Sequence, residues 1–431
     1  MSLASNQENR VFMFLDTMPQ RQGSGAALRL YSNVRAYLDL GFQVEVIHIG
    51  TRPDETEPAQ DLSPVKWTRV FEPAPEASVW GRLMFRMGVP AKAAVEYFVD
   101  RSRLTVREVE KRRQQAPDAV FHMEGEFMAS ALPRMRALSR RIWSVHDLPS
   151  TVSAASTRIA CEAQGRKPSV AELRELRFAT KYEHCIARHA ALALCIADYD
   201  VNRIRDWGCR AVEYLPMSIP DEEVEESDRE WLTEGRLRLL HLGSVSHLPS
   251  YRSLEFLFDK VWPHLPPEVS NRISLNVVGT VDPDNQRTKR IMDLARPYSN
   301  VVFKGFVKDV RAEYRESDVQ VVASTDATGL RTRIIESFAY GLPVLSTSTA
   351  ALGIRGLKPG ETLLVADDAA QFVNVLSELC VSEKLLTRLS SSGRAFYEQN
   401  NSRAAVASSL GESLRRHFGV AAAEHRTGMN A

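Results

Sequence analysis

The sequence predicts an α/β protein made of two Rossmann-like, doubly wound domains. Short apolar runs typical of buried parallel strands alternate with helical patterns along most of the 431 residues. Residues 219–236, which are rich in acidic side chains, interrupt this alternation once. They are predicted to link an N-terminal domain at 1–218 to a C-terminal domain at 237–401. Residues 402–431 are predicted to form one more helix and a disordered tail.

The composition is that of a soluble globular protein, with 44% hydrophobic and 25% charged residues. The formal net charge is +1, so nothing global indicates a nucleic-acid partner, and any basic site must be local. The 5 cysteines form no Cys-x-x-Cys pair, which favours reduced thiols in the cytoplasm and indicates no metal site. The first residues lack an apolar signal core, and no apolar run reaches about 18 residues, so we expect neither export by such a signal nor a membrane span.

The N-terminal domain opens with a strand, a glycine turn, a helix and a second strand. These strands and the helix are predicted at Val11–Leu15, Ala26–Leu40 and Val44–Ile49. Gly23, Ser24 and Gly25 form the turn, where the absence of side chains on the glycines lets a ligand approach the backbone. The spacing is not Gly-x-Gly-x-x-Gly, so it does not indicate a nicotinamide or flavin site. A plain tight turn fits these residues as well as a phosphate contact does.

Further elements complete this domain and place a histidine at the edge of its sheet. Strands are predicted at Ala119–His122, Ile142–Val145, Ala191–Cys195 and Ala211–Leu215, and helices at 126–138, Leu173–His189 and Asp198–Trp207. His146 and Asp147 follow one of these strands directly. Because doubly wound sheets bind ligands at the carboxyl ends of their strands, His146 is a candidate binding residue. A structural histidine also fits this position.

Two kinds of segment allow both a functional and a structural interpretation. Residues 79–87 combine bulky apolar side chains with two arginines, which suits a lipid-acceptor patch, but a core helix with snorkelling arginines is favoured. The triplets Asp198-Tyr199-Asp200 and Asp282-Pro283-Asp284 could hold a divalent metal on a diphosphate. We favour a helix cap at Asp198 and a turn at Asp282.

The C-terminal domain repeats the alternation of strands and helices. Its strands are predicted at Leu237–Leu242, Ile273–Val278, Val301–Phe303, Val319–Ala323, Pro343–Ser346 and Thr362–Val365. Its helices are predicted at Tyr251–Trp262, Arg287–Ala295, Val310–Glu316, Gln371–Leu379 and Lys384–Tyr397, and a last helix at Arg403–Phe418 follows the domain. Two such domains place two ligand-binding sheet edges face to face across a cleft.

The stretch from Ser324 to Pro343 is the strongest candidate site. A glycine turn opens a helix in which Leu330, Ile334 and Phe338 form the inward face. Arg331 and Arg333 in the first turn are unfavourable beside the positive end of the helix dipole unless an anion is bound there. The arginines and the N–H groups of Gly329 and Leu330 would hold a diphosphate, and Glu336 could accept hydrogen bonds from sugar hydroxyls. A surface helix with solvated arginines is the alternative.

Several motifs, taken in order, resemble the retaining glycosyltransferases of the group 1, or family 4, type, which have the GT-B fold. The resemblance spans Val11 to about Asn401 and is strongest in the second domain. It rests on Leu239-Leu240-His241-Leu242-Gly243-Ser244, Val277-Val278-Gly279, Val302-Phe303-Lys304-Gly305-Phe306-Val307, Gly329 to Pro343 with its Gly341-Leu342-Pro343-Val344 ending, and Leu215-Pro216-Met217-Ser218-Ile219.

This resemblance implies a role for each matching residue. Glu336 would bind the ribose of a nucleoside diphosphate sugar. His146 would be a catalytic residue that lies near the transferred sugar and orients it or senses its charge, without a general-base role. The donor side would include Gly243, Ser244, Gly279, Phe306, Val307, Thr328, Gly329 and Leu330, and the acceptor side Gly23, Ser24 and Gly25. The family usually has a second glutamate where this chain has Thr328, and often an Arg and a Lys after the position of Gly243. Arg331 and Arg333 would replace those bases as the catalytic cations.

The predicted function is therefore transfer of a sugar from a nucleoside diphosphate sugar to a glycan, lipid-linked or small-molecule acceptor, with retention of anomeric configuration. The resemblance implies no metal or other cofactor. The predicted location is the cytoplasm, with a peripheral position at the inner face of the membrane as an alternative. A GT-B subunit that binds nucleotide without catalysis, or a GT-B epimerase, fits the same pattern, and a phosphorylase or a solute-binding protein fits it less well.

Overall fold

The computed structural model describes residues 9–21, 25–50, 57–71, 100–135, 137–219, 229–325 and 329–420. It divides the chain into two compact units. The first consists of Met1–Pro220 together with Arg403–Ala431, and the second of Asp221–Ser402. Residues 220–228 of the predicted linker and the arginine-bearing segment at 79–87 fall outside the described ranges.

Each unit is built on one parallel sheet in the part of the chain that is described. The first sheet has the order β3-β2-β1-β4-β5-β6-β7. Its strands are β1 (Arg10–Leu15), β2 (Gln43–Gly50), β3 (Lys66–Phe71), β4 (Val120–Glu124), β5 (Arg141–Val145), β6 (Leu192–Cys195) and β7 (Val212–Tyr214). The second sheet has the order β10-β9-β8-β11-β12-β13. Its strands are β8 (Leu237–Leu242), β9 (Ile273–Val278), β10 (Val301–Gly305), β11 (Val319–Val322), β12 (Val344–Ser346) and β13 (Leu364–Val365).

Helices follow the strands in the alternation that the sequence predicts. Those of the first unit are α1 (Gly25–Asp39), α2 (Asp100–Gln115), α3 (Gly125–Ala129), α4 (Pro149–Ala163), α5 (Val170–His189) and α6 (Asp198–Asp206). Those of the second are α7 (Leu248–Phe256), α8 (Pro267–Ser270), α9 (Gln286–Ala295), α10 (Arg311–Glu316), α11 (Thr332–Ala339), α12 (Ser348–Ala351), α13 (Ala369–Leu379) and α14 (Glu383–Asn400). The last helix, α15 (Arg403–Phe418), belongs to the first unit.

Both faces of the central strands are covered, which is why these strands are continuously apolar. On β1, Phe12 and Phe14 pack into one cluster with residues of α2, α3, α5 and α6. The alternate residues Val11, Met13 and Leu15 pack into a second cluster on the opposite face, with α1 and α15. All five side chains are fully buried, and each contributes roughly 1.5–3 kcal/mol of transfer free energy. The doubly wound arrangement is thereby confirmed for the first unit.

The last helix, α15, packs against α1 of the first unit. Val406, Leu410 and Leu414 share a buried cluster with α1, and the Arg403 guanidinium forms an ion pair with Asp39. The helix itself was predicted, but its partner was not. Val420, beyond the helix, is also buried in this cluster.

Five elements were not predicted from the sequence: β3, α2, α4 and the four-residue helices α8 and α12. Strand β3 lies at an edge of the sheet and none of its residues is fully buried, so its apolar pattern is weak. Helix α2 is strongly charged, and α4 consists mainly of Ser, Ala and Thr, so neither shows a clear apolar stripe.

Two predicted helices were too long. The helix predicted to reach residue 138 ends at Ala129, and a single 3₁₀ turn at Leu132–Arg134 follows, with Pro133 inside it. The helix predicted to end at Trp262 is regular only to Phe256. It continues as a wide turn at Leu257–Val261, and Pro263 then prevents further helical hydrogen bonding. Among the described residues, no helix combines the length and the apolar character needed to cross a bilayer.

Candidate functional site

Helix α11 begins at Thr332, later than the sequence suggests. Arg331 therefore occupies the N-cap position, and only Arg333 lies in the first turn. Ile334 and Phe338 are fully buried as predicted. Leu330 precedes the helix and is half-buried, so its predicted place on the inward helix face was wrong.

The Arg333 guanidinium lies against the end of β8. Its Nη1 donates a hydrogen bond to the carbonyl of Leu242, and both Nη atoms are 3.2 Å from the position that a Cβ on Gly243 would occupy. Burial lowers the pKa of Arg333, and this effect outweighs the nearby Glu336 carboxylate, which raises the pKa. The side chain keeps its charge and is held beside the Gly243 backbone.

Gly243 and Gly279 bring the carboxyl ends of β8 and β9 into direct backbone contact. Their φ angles are +136° and +147°, a region that favours glycine. A Cβ on Gly279 would lie 2.3 Å from the carbonyl oxygen of Gly243 and 2.9 Å from the nitrogen of Ser244. The Ser244 hydroxyl is 3.2 Å from that of Ser246 and 3.4 Å from the carbonyl of Thr280. The structure thus brings Gly243, Ser244, Gly279 and Arg333 together at one sheet edge.

Glu336 lies on the next turn of α11, where the Tyr314 hydroxyl donates to its Oε2 at 2.9 Å. The Tyr314 ring is fully buried and stacks on Tyr340, with ring centroids 4.6 Å apart and planes inclined by 11°. Burial, reinforced by the Glu336 carboxylate, raises the pKa of Tyr314 well above its usual value, so the phenol remains a donor. Within the described residues, Oε1 of Glu336 has no hydrogen-bond donor and can accept from a ligand. Tyr314 was missed from the sequence because no spacing links it to Glu336.

Arg331 is buried and contacts two residues that precede α11. Its Nη2 donates to the Ser324 hydroxyl at 3.0 Å, and its Nη1 lies 3.4 Å from the carbonyl of Gly329. The Ser324 carbonyl in turn accepts a hydrogen bond from the Thr347 hydroxyl at 2.5 Å. Thr328 lies outside the described residues. The anion predicted for the two arginines remains a prediction.

The two candidate residues after β10 have different environments. Phe306 is 75% exposed, whereas Val307 packs against a buried cluster that contains Leu240, Leu242 and Tyr314. Phe306 therefore offers an open aromatic face near the edge of the second sheet, and Val307 supports the core beneath Tyr314.

The remaining candidate residues belong to the first unit. Gly25 is the first residue of α1, and Gly23 and Ser24 fall outside the described ranges. His146 follows β5 as predicted, and its Nε2 lies 2.9 Å from Oε2 of Glu124, at the end of the neighbouring strand β4. The Glu124 side chain is 1% exposed, against 21% for His146.

Glu124 is the functional candidate that the sequence did not reveal. Its Oε1 accepts a hydrogen bond from Asn33 Nδ2 at 2.8 Å and lies 3.2 Å from His122 Nε2. Burial alone would raise the pKa of Glu124, but His122, His146 and Arg29 outweigh burial and lower it. Burial lowers the pKa of His122, whose Nδ1 is 2.9 Å from the Tyr37 hydroxyl. Glu124 is therefore an ionised carboxylate inside a polar network.

Two other carboxyl groups near this sheet edge have raised pKa values. Burial, reinforced by Glu183 among others, raises the pKa of Glu126 well above its usual value. Burial likewise raises the pKa of Asp200 to about 7, although the Arg203 Nη1 lies 3.1 Å from its Oδ1. Asp198 is the first residue of α6 and Ala197 occupies the N-cap position, so the predicted cap at Asp198 was wrong. In the other triplet, the Asp284 N–H donates to Asp282 Oδ1 at 3.1 Å, which is a turn contact as predicted.

Replacing Asp200 with asparagine is expected to flatten the pH dependence of stability. The unfolded carboxyl loses its proton near pH 4 and the folded one near pH 7, so wild-type stability falls as the pH rises between these values. Between pH 5 and pH 8, the variant should lose less unfolding free energy than the wild type, by about 2–3 kcal/mol. Urea unfolding at both pH values measures this difference. Asp206→Asn, at an exposed position on the same helix, is the control, and equal slopes for Asp200→Asn and wild type would contradict the prediction.

The described part of the chain brings no three His, Cys, Asp or Glu side chains into an arrangement that could hold a metal ion. All 5 cysteines are free thiols.

Two parallel α/β units with these strand orders form the architecture of the GT-B glycosyltransferases, and solved structures bear this out. Sucrose-phosphate synthase from Thermosynechococcus elongatus has a TM-score of 0.65 and 15% identity, covering 95% of this chain and 99% of that one. Anabaena HepE, solved with UDP-glucose, has a TM-score of 0.62 and 13% identity, covering 94% and 99%. A mutant of Staphylococcus aureus TarM, solved with Fondaparinux, α-GlcNAc-glycerol and UDP, has a TM-score of 0.64 and 9% identity, covering 94% and 99%. At these identities the likeness establishes the fold.

The sequence itself points to the same class. Residues 236–381, within the second unit, match the family described as Glycosyl transferases group 1. No curated protein is significantly similar to the chain in sequence. The resemblance to group 1 glycosyltransferases and the GT-B fold are thus confirmed.

Proposed function

We propose that this protein transfers a sugar from a nucleoside diphosphate sugar to an acceptor hydroxyl, with retention of anomeric configuration. The observation that carries the proposal is the pairing of Arg333 and Glu336 on α11, beside the backbone contact of Gly243 with Gly279. A guanidinium suits a diphosphate, and a carboxylate suits ribose hydroxyls. The side-chain-free backbone at the two glycines leaves room for phosphate oxygens beside the Arg333 guanidinium.

Stabilisation of the leaving diphosphate would supply most of the rate enhancement. Arg333, already desolvated and fixed by the Leu242 carbonyl, needs little reorganisation to receive the developing negative charge. Arg331 would assist Arg333 by holding Gly329 in place through its carbonyl. The N–H groups of Gly329 and Leu330, just before α11, would then donate hydrogen bonds to the diphosphate. This assignment requires no metal or other cofactor. Retention of configuration rests on the resemblance to the retaining family.

The first unit would hold the acceptor and the transferred sugar. Its sheet edge presents His146, and α1 begins there at Gly25. HepE was solved with UDP-glucose and TarM with UDP and α-GlcNAc-glycerol, which supports a uridine nucleotide as the first donor to test. Glycan, lipid-linked and small hydroxyl acceptors all remain candidates for the acceptor class.

A thermal-shift screen followed by a donor-hydrolysis assay tests the function. Uridine, guanosine, adenosine, cytidine and thymidine diphosphates and their sugars are compared, because ligand stabilisation grows with concentration over Kd. We expect one base to be preferred and its sugar nucleotide to be hydrolysed slowly without an acceptor. Stabilisation by none of these ligands would refute the proposal.

A second candidate function is nucleotide binding without catalysis. It is favoured by Thr328, which stands where the resembling family usually has a glutamate that contacts the donor sugar. A protein that is stabilised by a nucleotide sugar but never hydrolyses or transfers that sugar would have this function.

Replacing Arg333 with alanine is expected to weaken nucleoside diphosphate binding about 30- to 100-fold and to leave nucleoside binding nearly unchanged. Removal of a charged donor from a buried diphosphate contact costs about 2–3 kcal/mol. Isothermal titration calorimetry with the preferred diphosphate and its nucleoside gives both affinities. Arg333→Lys keeps the charge but loses the paired N–H donors of the guanidinium, so its diphosphate affinity should lie between those of the wild type and Arg333→Ala. Arg388→Ala, at an exposed position on α14, is the control. Equal losses for both ligands would mean that Arg333 is only structural.

A further inference from the structure

Glu124 has the contacts of a residue that orients another side chain rather than one that meets a ligand. Its carboxyl group is almost completely buried and engages Asn33, His122 and His146. Because the surroundings keep it ionised, both of its oxygens can only accept hydrogen bonds. The His146 nitrogen that faces it must therefore carry a hydrogen.

The geometry selects one tautomer of His146. Nε2 lies 2.9 Å from Glu124 Oε2, which places the hydrogen on Nε2. Nδ1 has no hydrogen-bond partner within the described residues, and the side chain is 21% exposed. In the neutral ring, Nδ1 is then an acceptor at the carboxyl edge of the first sheet, where a ligand hydroxyl can donate to it.

We propose that Glu124 is the positioning residue for His146, and that it fixes the ring so that Nδ1 accepts a hydrogen bond from a hydroxyl of the bound sugar. This inference rests on the proposed function for the identity of the ligand. The orientation of His146 rests on the contacts of Glu124 alone. Asn33 completes the arrangement, because its amide holds the other carboxylate oxygen and prevents the carboxyl group from turning.

Glu124→Gln is the variant that separates positioning from mere stability. The amide oxygen of glutamine is expected to stay with the Asn33 donor, which turns the NH₂ group toward His146. That NH₂ can only donate, so His146 must offer a lone pair on Nε2 and carry its hydrogen on Nδ1. The ring stays in place, but the atom that should accept from the sugar becomes a donor.

The chain offers a matched control in a second Glu–His pair. Glu213 Oε1 lies 2.9 Å from His417 Nε2, on β7 and α15 of the same unit. Glu213→Gln changes the same chemical pair without touching the His146 network. Any loss of activity that occurs in Glu124→Gln but not in Glu213→Gln is therefore caused by the change in the hydrogen bonds around His146.

The experiment combines ¹⁵N spectra of the histidine rings in the full chain with steady-state kinetics. We expect the wild-type His146 ring to be protonated on Nε2 with a lone pair on Nδ1, and the opposite pattern in Glu124→Gln; His146→Gln assigns the signals. In kinetics, kcat should fall about 10- to 100-fold in Glu124→Gln with little change in the KM of the donor, whereas Glu213→Gln keeps wild-type values.

Two results would overturn the inference. One is a wild-type His146 ring with its hydrogen on Nδ1, which can be measured without any variant that must fold. The other is equal kcat for Glu124→Gln and Glu213→Gln. If the wild type transfers and hydrolyses no sugar nucleotide, the proposed function fails, and the ring spectra alone still decide whether Glu124 positions His146.

Discussion

Glu336→Ala is expected to lower the affinity for the preferred nucleoside diphosphate sugar at least about 100-fold while the second unit stays folded. A carboxylate that accepts hydrogen bonds from two ribose hydroxyls would contribute about 3 kcal/mol or more in a site shielded from water. Folding should tolerate the change, because Glu336 is only half-buried and, among the described residues, its side chain is hydrogen-bonded to the Tyr314 hydroxyl alone. Calorimetry with the nucleotide sugar gives the affinity, and circular dichroism gives the fold.

Two variants show whether the carboxylate itself is responsible. Tyr314→Phe removes the donor to Oε2 but keeps the carboxylate, and it should weaken binding by less than tenfold. Glu398→Ala, on the exposed face of α14, should change nothing. An unaltered affinity in Glu336→Ala would show that the ribose is not held by this helix, and the site assignment would then be wrong.

Gly279→Ala is expected to destabilise the second unit by about 3 kcal/mol or more. The new Cβ would lie 2.3 Å from the carbonyl oxygen of Gly243, and both groups are backbone, so no side chain can rotate away. The ends of β8 and β9 would have to separate, which also displaces Ser244 and the Leu242 carbonyl that holds Arg333. Urea unfolding followed by circular dichroism measures the loss.

Gly360→Ala separates the steric clash from the backbone preference. Gly360 also has a positive φ, +81°, but a Cβ there would meet nothing within 4 Å. This control should cost about 1 kcal/mol from the φ angle alone. If both variants lose the same free energy, the close contact of Gly243 with Gly279 does not constrain the fold.

The residues of the second unit were predictable where local chemistry specifies them. Gly243 and Gly279 were assigned to the donor side from the resemblance, and the structure shows that glycine permits a close backbone approach there. Arg333 and Glu336 are three residues apart on one helix, so their shared location follows from helix geometry. Arg331 shows the limit of this reasoning, since the helix begins one residue after it and the side chain turns back to Ser324.

Glu124 and Tyr314 could not be predicted, because their roles depend on partners distant in sequence. Glu124 engages Asn33, 91 residues away, and His146, 22 residues away. The sequence shows Glu124 and Glu126 as two similar carboxylates after one strand, yet only Glu124 has partners that lower its pKa, while that of Glu126 is raised. Which of the two is charged is decided by tertiary packing.

The return of α15 to the first unit has a consequence for synthesis on the ribosome. Residues 403–418 supply Val406, Leu410 and Leu414 to the cluster under α1, and they are translated after the whole of Asp221–Ser402. The second unit can therefore fold while the first still exposes the apolar face of α1 to water. Emergence of residues 403–418 from the ribosome completes this cluster, so a chain cut near residue 402 would join a folded second unit to a first unit with an exposed apolar face.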